Sequence, residues 1–100
     1  MNDILFFPTS ETIVDDLGQV IEVTEIFDRE VFCFKKSIPQ SEFFQAGQIN
    51  IKASCMLIVY NLDYQQEQKV KYKDVKYHIY RTYERSDERI ELYCEVKAGD

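Results

Sequence analysis

The stretch Tyr72-Lys73-Asp74-Val75-Lys76-Tyr77-His78-Ile79-Tyr80-Arg81-Thr82-Tyr83, followed after a polar break by Ile90-Glu91-Leu92-Tyr93, decides the fold. Val70 and Tyr72 alternate with Lys69, Lys71 and Lys73, the period of a half-buried strand. Lys73-Asp74 reads as a tight turn into a second strand over 75–83. On that strand Val75, Tyr77 and Ile79 share one face, and Lys76 and His78 share the other. Residues 84–88 are polar loop. Ile90, Leu92, Cys94 and Val96 then point inward against outward Glu91, Tyr93 and Glu95, the cleanest period-two signal in the chain.

Working outward, 53–60 is apolar on both faces and reads as a central strand, with 61–66 as loop. Near the N-terminus, Ile4-Leu5-Phe6-Phe7 is a short apolar run that Pro8 closes. Asp15-Asp16-Leu17-Gly18-Gln19 is a turn in which Gly18 takes positive φ. The β-branched and aromatic residues of 20–27 suit a pleated sheet, 28–30 breaks the run, and 31–34 resumes it. Two strands and one long bulged strand remain equally consistent with that pattern. Pro39 halts the extended pattern, and Ser41 is placed to cap a short helix through Ala46 that Gly47 ends. A helix under two turns needs tertiary contacts to persist. Phe43 and Phe44 fall on adjacent sides of it, so one is expected in the core and one free for a partner. Roughly five to seven short strands with one small helix predict a mainly β fold. The expected architecture is a small antiparallel β-barrel forming a single domain over 1–100, with a loop insertion at about 37–52 that holds the short helix.

One hundred residues allow one domain, and 45% hydrophobic content with seven Tyr and seven Phe is globular in character. A chain of this size buries about 60–65% of its unfolded surface. The longest apolar run, 55–60, is too short to span a bilayer, and the first residues lack the basic start of a signal peptide, so a cytoplasmic site of synthesis and no membrane partner are expected. Cys33, Cys55 and Cys94 are odd in number and widely spaced, which favours reduced, buried thiols over a disulfide framework or a zinc site. The net charge of −6 is uneven: residues 1–34 hold eight acids and one base, whereas 67–100 hold eight of each. Lys69, Lys71, Lys73 and Lys76 cluster in the second half, where they suit a solvated strand face, an inter-subunit contact or a channel lining.

The chain carries no constellation for catalysis. His78 is the one histidine and has no ligand-spaced partners, and neither Cys33 nor Cys55 sits in a motif that would make a thiol dyad with it. Asp15-Asp16 and Asp87-Glu88 are paired carboxylates in turns, where solvation explains them. There is no glycine-rich phosphate loop. Tyr77 and Tyr83 fall in register with apolar residues and are expected inside, whereas Tyr80 and Tyr93 are expected on the surface as interface residues. No catalytic, cofactor-binding or metal-ligating residue is assigned, and a non-enzymatic role without cofactors is expected. A small single-stranded nucleic-acid-binding barrel, using Tyr72, Tyr77, Tyr80 and the nearby lysines, is the reading of another class; the acidic total weighs against it.

Two segments carry a family resemblance. The first is Glu42-Phe43-Phe44-Gln45-Ala46-Gly47-Gln48. The second starts at Asp63-Tyr64 and Glu67, runs through Val70 to Tyr83 as quoted above, and ends at Asp87 and Ile90-Glu91-Leu92-Tyr93. Together they resemble the head–tail joining, or head-closure, proteins of long-tailed bacteriophages and prophages of Gram-positive bacteria. The resemblance covers 41–97, while 1–40 fits in length and strand character only. One departure is Asp74, where the family usually has glycine in the hairpin turn. The resemblance implies a β-barrel that assembles with copies of itself as a ring, generally dodecameric, beneath the portal and its adaptor. Such a ring sits in the virion neck, helps retain packaged DNA with non-specific contact to it, and docks the tail or tail-completion protein. It also implies a long loop that projects for docking or gating, here 37–52, with Glu42, Phe43, Phe44, Gln45 and Gln48 as its candidate contacts. A tail-completion protein or other neck component of similar barrel fold is the nearest alternative.

Overall fold

In the computed structural model, which describes residues 3–96 except the side chains of 11 and 12, six strands close into an antiparallel barrel. The chain ends of the single-domain assignment, residues 1, 2 and 97–100, lie outside the described residues. The strands are β1 (Asp3–Val14), β2 (Val20–Lys36), β3 (Ala53–Tyr60), β4 (Lys69–Tyr72), β5 (Val75–Glu84) and β6 (Arg89–Glu95), with one helix, α1 (Gln40–Gly47), between β2 and β3. Their order around the barrel is β1-β2-β3-β6-β5-β4. A short β1–β4 ladder, Leu5 opposite Tyr72 and Phe6 opposite Lys71, closes the circle.

The interior is filled by the alternating residues of these strands. Leu5, Phe7, Val31, Cys33, Cys55, Leu57, Val59, Val70, Tyr72, Ile90, Leu92 and Cys94 form one buried cluster, with Tyr64, Tyr77 and Ile79 packed against it. The three cysteines are free thiols within it. The apolar run of β3 is explained by a second cluster on its other face, where Met56 and Ile58 pack with Tyr93, Phe34, Ile38 and Tyr80. The connection from β2 to β3 covers this outer face, so β3 is buried on both sides.

Several elements depart from their sequence reading, each for a local reason. Pro8 does not end β1, which continues to Val14. The register shifts there, from Phe7 opposite Arg29 to Pro8 opposite Phe27, leaving Asp28 as the extra residue of a bulge. The β1–β4 ladder has already ended at Phe6, so proline's missing N–H lies where no second neighbour needs it. The same bulge answers the question at 28–30: β2 is one long bulged strand. The helix begins one residue early, with Pro39 at its N-cap and no side-chain cap, so Ser41 lies inside it.

A second register shift lies between Ile79 and Arg81 on β5. It reverses the alternation beyond Tyr80, so Tyr83 stands opposite outward Glu91 and is 56% exposed rather than inside. Tyr93 faces outward as its period requires, yet it is buried under the second cluster. Glu95 is likewise outward in register but buried, and Val75 and Val96, expected inside, are exposed at the barrel rim and just past the end of β6.

Candidate functional site

The barrel presents three surface features near the residues singled out by sequence: the helical connection, the lysine face and a projecting arm. The helical connection is fastened by Glu42. Its carboxylate accepts from the Tyr80 hydroxyl at 3.0 Å and pairs with the Arg81 guanidinium. That guanidinium lies 4.0 Å from the centroid of the Tyr93 ring, and the Tyr93 hydroxyl donates to Glu91 at 2.7 Å. Burial, then the hydrogen bond to Glu42, holds the Tyr80 phenol above its ordinary pKa. The Glu42 contact also raises the Arg81 guanidinium further. Glu42 therefore anchors the helix to the wall rather than offering itself to a partner.

On the same helix Phe43 and Phe44 are both exposed, at 50% and 60%, with ring centroids 6.3 Å apart in an edge-on pair. The expectation that one of them enters the core is corrected: Ala46 is the buried residue of the helix. Glu42 already fixes the helix orientation, and the two rings are left facing solvent. Gln45 and Gln48 are also exposed, and Ile49 beside them is 68% exposed. Of the expected docking contacts, four lie on the open side of the connection and Glu42 on its closed side.

The four lysines lie together on the wall beside the arm. Lys69 pairs with Glu25 at 3.1 Å, Lys76 stands 5.3 Å over the Phe27 ring, and Lys73 stands 5.5 Å over Tyr72. Lys71 and Lys73 rim a cleft of about 360 Å³ whose floor is Ile4, Phe6 and Phe27. Tyr72 is buried in the barrel and Tyr77 packs against its core, so neither offers a stacking face to a nucleotide. Among the described residues no group of three or more His, Cys, Asp or Glu is arranged to hold a metal ion. No helix among them is long and apolar enough to cross a membrane.

The arm is the feature that sequence reasoning missed. Past Phe6, β1 pairs only with β2, and β2 reaches β3 only at Phe34, Lys35 and Lys36. Residues 8–27 are therefore a two-stranded ribbon beyond the barrel, in a molecule 53 Å long but 30 Å and 22 Å across. Asp15 shapes its tip: the carboxylate accepts from Leu17 and Gln19 backbone N–H groups, both at 2.9 Å, and Gly18 adopts φ of 81°. Ile13, Val14, Leu17, Val20, Ile21, Val23 and Ile26 are all exposed along it. The signal was present as two β-rich runs flanking one turn, with acids and no base in 8–28.

The motif residues Asp63-Tyr64 and Glu67 have a structural role at the base of the arm. Arg29 donates to the Asp63 carbonyl at 2.8 Å, pairs with Glu67, and lies 4.7 Å over the Phe7 ring. Tyr64 packs on Phe7 at 5.9 Å and donates to the Glu67 carbonyl at 2.7 Å. The loop is thus fastened to the barrel core through Tyr64. Comparison with protein-family models gives no match, and no curated protein matches the chain.

Proposed function

We propose that this chain is a head-closure protein of the neck of long-tailed bacteriophages. In this reading it joins a ring beneath the portal and adaptor, helps retain packaged DNA, and presents a docking surface to the tail. The observation that carries the proposal is the meeting of the two motif segments at one joint. Glu42 of the first segment holds Tyr80 and Arg81 of the hairpin, and Arg81 stacks on Tyr93 of the last strand. Arg81 and Tyr93 are cross-strand partners on β5 and β6, and Glu42 reaches this pair from the helix outside the sheet. That contact supports reading the two segments together.

The division of labour follows from the same joint. The barrel and its anchors are scaffold. The exposed Phe43–Phe44 pair and the projecting arm are the surfaces that can bury apolar area against neighbours. The test is to add the purified protein to DNA-filled, tailless heads that lack it. Tail attachment and DNA retention are expected to recover; failure of both would contradict the proposal.

A further inference from the structure

The tip of the arm and the cleft at its base are chemically complementary, yet they cannot meet within one chain. At the tip, Leu17 is 83% exposed, and Val14, Val20 and Ile21 around it are 52%, 60% and 64% exposed. Asp16 precedes Leu17, and the whole of 8–28 holds six acids and no base. At the base, the cleft has an apolar floor of Ile4, Phe6 and Phe27 and a rim of Lys71, Lys73 and Asp74. Lys76 over the Phe27 ring adds a further positive charge there. One patch is thus apolar and acidic, the other apolar and net basic. At about 3.3 Å per residue, the ribbon carries its tip about 25 Å from this cleft, and a paired ribbon does not fold back on itself. The complement must come from another copy.

We propose that the arm tip of one protomer seats in the base cleft of the next. Leu17 enters between Phe6 and Phe27, and Asp16 faces Lys71 and Lys73. The contact joins two different patches, so it is heterologous, and its repetition generates a ring when the rotation closes. Burial of apolar surface supplies the attraction, and the charges set which end meets which. The proposal deepens the ring reading and rests on it for closure; the pairwise contact itself stands on the two patches.

The test uses the full chain carrying Leu17→Cys and Lys73→Cys. The native thiols are buried and do not compete. Mild oxidation is expected to give a ladder of disulfide-linked oligomers. A control pairing Leu17→Cys with Leu62→Cys, at a position 94% exposed outside the cleft, is expected to give severalfold less. No ladder, or equal ladders, would overturn the contact. Adding Asp16→Lys is expected to weaken the ladder severalfold, and Lys71→Glu on that background to restore it; indifference to both changes would also overturn it. The two proposals fail separately. A chain that forms the ladder but does not rescue tailless heads keeps the contact and loses the neck role. A Leu17→Arg chain that rescues them fully keeps the neck role and loses the contact.

Discussion

Lys73 and Asp74 show how much of this fold turns on single residues. They link β4 to β5 with φ of 49° and 65°, so both sit in left-handed backbone. Tyr72 pairs directly with Val75, which makes this a two-residue hairpin turn of the type that favours Asn-Gly. The left-handed region costs an ordinary side chain about 1 kcal/mol. Lys73→Asn is therefore expected to raise stability by up to about 1 kcal/mol, read as a higher denaturant midpoint; a lower midpoint would contradict the turn assignment. Inside the barrel, burial pushes the Cys33 thiol from 9.0 up to about 12, and burial is also the first cause lifting the Tyr72 phenol from 10.0 to about 12. Between those limits the folded chain holds protons that the unfolded chain releases, so stability falls as pH rises. It is expected to be intact below about pH 9 and to decline toward pH 12, as followed by denaturant midpoints across that range.

Among the elements, the helix and the arm divide what was legible in the sequence from what was not. β4 and the start of β6 were readable because alternate residues there are buried, Val70 and Tyr72 on one and Ile90 and Leu92 on the other. Tyr83 was misread because a bulge is a register event between strands, and a single strand's pattern does not contain its partner's register. The helix was visible from Pro39 and Gly47, but its anchor was not, since Glu42 finds Tyr80 and Arg81 far along the chain. The arm was hidden because apolar residues lie on both of its faces, leaving no alternation to follow, and because Pro8 is a stop signal only where a ladder needs its N–H. Glu42→Ala is expected to cost about 1 kcal/mol and to make 37–52 more sensitive to protease, the usual scale for a partly exposed, hydrogen-bonded pair. Phe43→Ser with Phe44→Ser is expected to leave the barrel's melting unchanged while abolishing tail attachment. Lost stability in the double variant would place those rings in the fold rather than at a docking surface.

At the scale of the whole molecule, closure of the sheet and extension of the arm are two consequences of one long hairpin. The first halves of β1 and the end of β2 complete the barrel, and the remainder runs past it as a ribbon with open edges on both sides. Open edges and exposed apolar side chains are liabilities for an isolated subunit and assets for one that is built into an assembly. The acidic charge of the arm limits indiscriminate pairing and suits the basic cleft at its base. The fold class was evident from strand patterning alone, whereas the proposed assembly role rests on motif resemblance together with the joint at Glu42, Arg81 and Tyr93. The most direct measurement is an electron-microscopy reconstruction of the neck from complete particles that contain this chain. A ring of these barrels is expected between adaptor and tail, each arm reaching its neighbour and each Phe43–Phe44 pair buried against an adjoining protein. A neck whose rings leave no density for this barrel would contradict it.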